Sequence, residues 1–137
     1  MKTPEERILP VVLYVDDDPE DRMLLADAVQ IVDPGYDLVT VHDATQAFRF
    51  LNHRRSSPPC LIILDLNLPG MDGIGIIDKL RQDTTTASIP IVIFTTSASP
   101  ADQDACARYT VDMITKPISF SVLIETVKKL LSYCKES

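Results

Sequence analysis

The stretch that decides the fold is LIILDLNLPGMDG, residues 61–73. Its first four residues are all branched and apolar, a pattern that predicts a strand buried on both faces of a sheet. Asp65 follows directly, and burying a lone carboxylate in such a core is costly. Asp65 is therefore expected at the carboxyl end of the strand, before a turn-rich loop that contains Pro69 and Gly70. In an open parallel α/β sheet, ligands bind at that edge.

The rest of the chain alternates between predicted strands and predicted helices. Further strands are predicted at residues 10–15, 37–41, 89–94 and 112–115. Apolar spacing and capping residues predict helices at residues 19–32, 44–52, 74–82, 100–109 and 119–134. The side chains of the first helix expected to face the core are Met23, Leu24, Ala28 and Val32. Because parallel strands need crossover connections, this alternation predicts one α/β domain with a parallel sheet.

Composition limits the classes of function. The chain has 137 residues, 20 acidic and 13 basic, for a net charge of −7, which argues against direct binding to nucleic acid. We find no apolar run long enough to span a membrane and no secretory signal near the start. Cys60, Cys106 and Cys134 are widely spaced and are expected to be reduced thiols of a cytosolic protein. We expect a flexible lead at residues 1–9, a domain at 10–134 and a tail at 135–137.

Polar side chains stand where the predicted strands end. Asp16 and Asp17 follow the first strand, Asp65 follows the third, Thr95 follows the fourth and Lys116 follows the fifth. Because the carboxyl ends of parallel strands share one edge, these groups should converge. Three neighbouring carboxylates call for a cation, and Mg²⁺ typically binds one or two carboxylates while keeping waters. With a lysine and a threonine, they form a set suited to accepting a phosphoryl group on a carboxylate.

These motifs, in this order and at this spacing, resemble the response-regulator receiver domains of two-component signalling, over residues 10–134. The resemblance implies a flavodoxin-like (βα)5 fold with strand order 2-1-3-4-5. The polar loop at residues 54–59 and the stretch from Ile89 to Ser97 look like the stand-alone receivers that serve phytochrome-type histidine kinases.

The resemblance also implies roles for the acidic residues. Asp65 would be the phosphoacceptor. Asp17 and Asp65 would bind Mg²⁺, or alternatively Mn²⁺, together with the backbone carbonyl of Asn67. Asp16 would hold the metal through water.

Further residues would form a switch. Thr95 would contact the phosphoryl group and move with it, and Lys116 would pair with that group. The Lys116–Pro117 peptide bond would be cis. Where the family usually has an aromatic ring, three residues before this lysine, the chain has Met113. We therefore expect a less sharply defined switch.

The resulting interpretation is a cytoplasmic single-domain response regulator rather than an enzyme, with limited self-phosphotransfer and autodephosphorylation. Its partners would be a sensor histidine kinase or phosphotransfer protein and a downstream protein, with no nucleic acid and no membrane. A homodimer through the last helix and strand is a further option. Two alternatives are a metal-dependent phosphohydrolase and a binding module with a vestigial acidic pocket. The phosphohydrolase would need an acid/base aspartate where the chain has Asn67.

Overall fold

The computed structural model describes residues 9–96 and 98–136. The predicted lead lies outside these residues except for Leu9, and so does Ser97 in the loop expected to move. The strands are β1 (Val11–Val15), β2 (Asp37–Val41), β3 (Leu61–Leu64), β4 (Ile91–Thr95) and β5 (Asp112–Thr115). The helices are α1 (Pro19–Val32), α2 (Ala44–His53), α3 (Gly73–Gln82), α4 (Pro100–Arg108) and α5 (Phe120–Ser132), and α5 continues into a 3₁₀ turn at Tyr133–Glu136.

All five strands belong to one parallel sheet in the order β2-β1-β3-β4-β5. The three central strands β1, β3 and β4 are buried at every position, as their uninterrupted apolar sequences predicted. The flavodoxin-like fold and its strand order are therefore confirmed. Strand β4 begins two residues later than predicted, after Pro90, which has no N–H to donate to a neighbouring strand.

The core has two halves, one on each face of the sheet. Side chains of α2, α3 and α4 pack on one face and those of α1 and α5 on the other. The apolar stripe of α5 is buried as its periodicity predicted, and it consists of Leu123, Val127, Leu130 and Leu131. These layers leave the carboxyl ends of the strands open along one edge.

The predicted inward face of α1 was partly wrong. The buried side chains are Leu25, Ala28 and Val29, whereas Met23 is 65% exposed and Leu24 is 38% exposed. Positions 25, 28, 29 and 32 follow the i, i+3, i+4, i+7 spacing of one helical face. Met23 and Leu24 are rotated away from that face, so α1 presents apolar side chains to solvent.

Aspartate side chains cap the N-termini of three helices, α1, α2 and α3. Asp18 accepts hydrogen bonds from the N–H groups of Glu20 and Asp21 at the start of α1. Asp43 and Asp72 cap α2 and α3 in the same way. A side-chain acceptor satisfies N–H groups that lack partners within a helix, so these caps define where each helix begins.

The expectation that all three cysteines are reduced was wrong for two of them. Cys60 and Cys134 form a disulfide between the start of β3 and the turn after α5, whereas Cys106 is a buried free thiol. The two bonded residues are 74 positions apart in sequence, but the fold brings their Cα atoms to 4.9 Å. That separation lies within the usual range for a disulfide, and only the tertiary structure reveals it.

Candidate functional site

The carboxyl edge of the sheet brings together the acidic residues that follow β1 and β3. Asp16, Asp17 and Asp65 each offer a carboxylate oxygen, and these three oxygens lie within 4.8 Å of one another. Asp16 and Asp65 are buried, whereas Asp17 is exposed. The convergence expected from the strand ends is therefore present in the structure.

Lys116 supplies the positive charge of this site. Its Nζ atom lies 2.6 Å from Asp16 Oδ2, 3.0 Å from Asp65 Oδ2 and 2.8 Å from Asp21 Oδ2. Burial alone would lower the pKa of Lys116, but hydrogen bonds to the three carboxylates more than offset it, so that pKa is raised. The ammonium group therefore stays charged and bridges α1, β1 and β3.

Asp16 is held by several donors at once. The buried Tyr14 hydroxyl donates to Asp16 Oδ2 at 2.5 Å, and the N–H of Asp18 donates to Oδ1 at 2.9 Å. The guanidinium of Arg22 donates to the backbone carbonyl of Asp16 at 2.7 Å. Burial, and then the bond to Asp16, raise the pKa of Tyr14, so its phenol stays protonated as a donor. Asp16 is thus fixed in position, while Asp17 faces solvent.

Backbone hydrogen bonds and close packing fix the position of Asp65 in the site. Its N–H donates to the carbonyl of Val15 at 3.0 Å, which ties the end of β3 to β1. The N–H of Asn67 donates to Asp65 Oδ1 at 3.3 Å. Gly73, at the start of α3, lies so close that a Cβ atom there would be 2.8 Å from the Asp65 carbonyl oxygen. The loop after β3 is therefore packed tightly against α3.

The two residues that were predicted to form a switch, Thr95 and Met113, lie on β4 and β5. Thr95 is 2% exposed, and its backbone carbonyl accepts from the N–H of Lys116 at 2.8 Å. Thr95 pairs in register with Thr115, and Met113 pairs with Ile93, two positions earlier on the same face. The half-buried Met113 packs against the core on the side of α2, α3 and α4.

The expected cis bond before Pro117 was wrong. No peptide bond among the residues that the structure describes is cis, so Lys116–Pro117 is trans. The trans form of a bond before proline is intrinsically favoured by about 0.5–1 kcal/mol. In this trans arrangement, Lys116 already reaches all three carboxylates.

Two residues of the site were missed at the level of sequence. Asp21 was expected only as part of the helix at residues 19–32, and Tyr14 only as part of the strand at residues 10–15. A hydroxyl-bearing ring two positions before Asp16 lies on the same side of β1, and this spacing could have indicated the contact. The contact of Asp21 with Lys116 spans 95 positions and has no local signal.

The acidic group fits a hard divalent cation. Its donors are carboxylate oxygens, which Mg²⁺ and Mn²⁺ prefer, and one of the three carboxylates is solvent-exposed, which leaves room for coordinated water. Asp16, Asp17 and Asp65 could therefore hold a metal ion.

No helix within residues 9–96 and 98–136 is both long and apolar enough to cross a membrane.

Comparison with known proteins identifies the family. Residues 12–128 match the model of the response regulator receiver domain, so the chain belongs to that family. Receiver domains are signalling phosphoacceptors of two-component systems and in general are not enzymes.

Two relatives illustrate the range of the family. The response regulator Rcp1 of Synechocystis is 29% identical over 134 residues, which cover 93% of this chain and 90% of Rcp1. The sensor histidine kinase RcsC of Salmonella typhimurium is 31% identical over 127 residues, which cover 92% of this chain but only 13% of RcsC. The chain therefore matches nearly all of a small regulator and a small part of a kinase.

Solved structures support the same relationship. The phosphorylated cyanobacterial phytochrome response regulator RcpA has a TM-score of 0.83 at 29% identity, covering 93% of this chain and 95% of RcpA. The Mn²⁺-bound form of Rcp1 has a TM-score of 0.76 at 31% identity, covering 90% and 92% of the two chains. The chain is thus close to stand-alone, phytochrome-linked regulators, as its polar loop and fourth strand had indicated.

Proposed function

We propose that this protein is a single-domain response regulator that accepts a phosphoryl group on Asp65 from a histidine of a sensor kinase or phosphotransfer protein. The observation that carries the proposal is the surroundings of Asp65. Its carboxylate lies 3.0 Å from Lys116 Nζ and within 4.8 Å of the ligand oxygens of Asp16 and Asp17. Because RcpA is a phytochrome response regulator, a phytochrome-type kinase is the donor we propose.

The transfer itself needs few groups. An Asp65 carboxylate oxygen attacks phosphorus, the bond from phosphorus to the donor imidazole nitrogen breaks, and its electron pair leaves with the ring. The product on Asp65 is an acyl phosphate. The Lys116 ammonium stabilises the negative charge of the phosphoryl oxygens, and the Thr95 hydroxyl donates to one of them. Slow hydrolysis by water returns the free carboxylate, which gives the protein limited autodephosphorylation.

We propose Mg²⁺ as the physiological metal, with Mn²⁺ as a substitute. Asp17 and Asp65 would bind it directly with the backbone carbonyl of Asn67, and Asp16 would act through water. The metal would neutralise the carboxylates and the phosphoryl oxygens. Three donors that already hold Asp16 support this indirect role, because a carboxylate so engaged has few lone pairs left for a direct bond.

The incoming partner would dock beside the site, on α1 and the segment after Pro117. Large apolar side chains are exposed there, and they include Met23, Leu24, Ile118, Phe120 and Val122. Exposed apolar patches mark interaction surfaces. Crosslinking to the donor protein should give peptides from these two segments, and crosslinks confined to the opposite ends of the strands would contradict the assignment.

The outgoing signal would leave through α4, β5 and α5, which adjoin Thr95 and Lys116. Strand β5 lies at the edge of the sheet, so one side of its backbone is open to a downstream protein or to β5 of a second copy. For a homodimer, the surface we propose is β5 with α5. We also propose a cytoplasmic location, with no direct binding to nucleic acid or membrane. Sedimentation with and without phosphorylation tests the dimer.

The deciding experiment is incubation with acetyl phosphate and Mg²⁺, followed by intact-mass measurement. We expect the mass of one phosphoryl group in the wild type and none in Asp65→Asn. Absence of the mass gain in the wild type would favour a binding module that does not depend on phosphorylation. Rapid multiple turnover of phosphate esters would instead favour the phosphohydrolase, although Asn67 lacks a carboxyl group for acid/base chemistry.

A further inference from the structure

We infer that Asp21 is a positioning residue for Lys116 and that it sets the balance between cation and phosphoryl binding. The inference rests on the proposed function. Asp21 Oδ2 lies 2.8 Å from Lys116 Nζ, with the side chains of aspartate and lysine 30% and 8% exposed. The pair therefore lies at the boundary between the buried site and solvent.

Asp21 differs from the two other carboxylates that bind Lys116. Asp16 and Asp65 belong to the acidic group that could hold a metal, whereas Asp21 does not belong to it. A cation at that group would compete with Lys116 directly for Asp65 and, through a coordinated water, for Asp16. Asp21 would then remain as the partner of the ammonium, which keeps Lys116 beside the phosphoacceptor instead of released into solvent.

The position of Asp21 is fixed by the first turn of α1. Asp18 caps this turn through the N–H groups of Glu20 and Asp21, and Pro19 occupies the first helical position. Arg22, the next residue, donates to the carbonyl of Asp16 at 2.7 Å, which ties the turn to the end of β1. These contacts fix the first turn of α1 and therefore hold the Asp21 carboxylate beside Lys116.

This arrangement has opposite consequences for cations and anions. The negative charge of Asp21 offsets the charge of Lys116, so it favours a metal ion and disfavours an anionic phosphoryl donor. Without Asp21, Lys116 would bind Asp16 and Asp65 more tightly and would carry a less compensated charge. Loss of this carboxylate should therefore weaken cation binding and favour the phosphoryl group.

The test compares Asp21→Asn with Asp21→Glu and Glu20→Gln. Glu20 lies on the same turn and is exposed, so Glu20→Gln removes the same charge without touching Lys116. Two quantities are measured for each variant. One is the affinity for Mn²⁺ alone, from the electron paramagnetic resonance signal of the free ion. The other is the second-order rate constant of phosphorylation by acetyl phosphate at saturating Mg²⁺, from intact mass.

For Asp21→Asn we expect roughly 3- to 10-fold weaker Mn²⁺ binding and a phosphorylation rate constant higher by roughly 3- to 10-fold. Asp21→Glu should restore most of both values, and Glu20→Gln should change each by less than about twofold. Opposite changes in the Mn²⁺ affinity and in the phosphorylation rate constant distinguish a positioning role from damage to the fold, because a damaged fold would lower both quantities.

Equal effects of Asp21→Asn and Glu20→Gln, or a loss of both metal affinity and rate in Asp21→Asn, would overturn the inference. The comparison of rate constants requires a wild type that is phosphorylated, whereas the comparison of Mn²⁺ affinities does not. If the wild type gains no phosphoryl group, the proposed function fails and the inference falls with it.

Discussion

The phenolic oxygen of Tyr14 lies 2.5 Å from Asp16 Oδ2, and both side chains are fully buried at the end of β1. Lys116 Nζ binds the same carboxylate oxygen at 2.6 Å. A hydroxyl group and an ammonium group therefore share one acceptor, which makes a buried carboxylate tolerable. Asp16 is the most buried of the three acidic residues, and these two donors hold its carboxylate in place.

We predict that Tyr14→Phe lowers the free energy of unfolding by about 1–3 kcal/mol, the usual effect of losing a hydrogen bond to a charged group. The variant keeps the aromatic ring and its packing, so the change in the free energy of unfolding measures the contribution of the hydroxyl group. Urea denaturation measures it, and Tyr36→Phe, which changes a half-buried ring on the same face, is the matched control. Equal costs in the two variants would mean that the bond to Asp16 contributes nothing specific.

Stability should fall as the pH rises above about 10, near the ordinary pKa values of tyrosine and lysine. Burial and the bond to Asp16 raise the pKa of Tyr14 in the folded state, so only the unfolded chain loses this proton readily. Lys116 also has a raised pKa when folded, so its contribution is present below the unfolded pKa and is lost as pH rises through the folded value. Urea unfolding between pH 8 and pH 10.5 should show a shallower decline in Tyr14→Phe than in the wild type.

The disulfide predicts a redox-dependent stability. Cys60 and Cys134 close a loop of 74 positions, for which chain entropy gives roughly 4 kcal/mol of stabilisation. Dithiothreitol should therefore lower the urea midpoint of the wild type and leave that of Cys60→Ser unchanged. An equal shift in both proteins would contradict the role of the disulfide. Cytosolic reductants keep most thiols reduced, so the value in reducing buffer applies to the proposed cytoplasmic location.

The backbone around Gly73 leaves no room for a side chain beside Asp65, the proposed phosphoacceptor. A Cβ atom there would lie 2.8 Å from the Asp65 carbonyl oxygen and 2.9 Å from Leu66 Cα, so the backbone must shift. We expect Gly73→Ala to cost about 1–3 kcal/mol and to slow phosphorylation of Asp65. Gly75→Ala, two positions on in α3, is the control, because its Cβ would meet the flexible side chain of Met71 at 3.2 Å. A phosphorylation rate of Gly73→Ala equal to that of Gly75→Ala would contradict the prediction.

The α/β class with a parallel sheet followed from the residue pattern, because local and global signals agree along the sheet, whereas the strand order came from the resemblance to receiver domains. The apolar runs that became β1, β3 and β4 could be buried only as central strands, and their polar ends then had to meet at one edge. Asp16, Asp65 and Lys116 were found in this way. The positions of α2, α3 and α5 followed from apolar periodicity, with errors of one or two residues at their ends.

The remaining features depend on contacts between distant segments. The partnership of Asp21 with Lys116 and the disulfide of Cys60 with Cys134 join residues 95 and 74 positions apart, and neither leaves a periodic signal. The exposed face of α1 was misjudged because Met23 and Leu24 are apolar but lie off the buried stripe. In sequence, an exposed apolar surface has the same residue types as one that packs in the core.

The last prediction concerns Met113, which pairs with Ile93 two positions from Thr95 on the same face of the sheet. A phosphoryl group on Asp65 adds negative charge and acceptor oxygens, and should draw the Thr95 hydroxyl inward. The space that Thr95 vacates is expected to be filled from β5. Met113 is flexible, and ordering a methionine side chain costs about 1–2 kcal/mol, which is comparable with allosteric couplings of about 1–3 kcal/mol. The inward state should therefore be incompletely populated in the wild type.

Met113→Tyr should supply a stiffer side chain and widen the difference between the two states. The measurement is the set of NMR shifts of residues 95–99 with and without beryllofluoride, which mimics the phosphoryl group. We expect larger shifts in Met113→Tyr than in the wild type. Met23→Tyr, at an exposed position of α1, should behave like the wild type and serves as the control. Equal and complete shifts in the wild type and Met113→Tyr would show that Met113 does not weaken the switch.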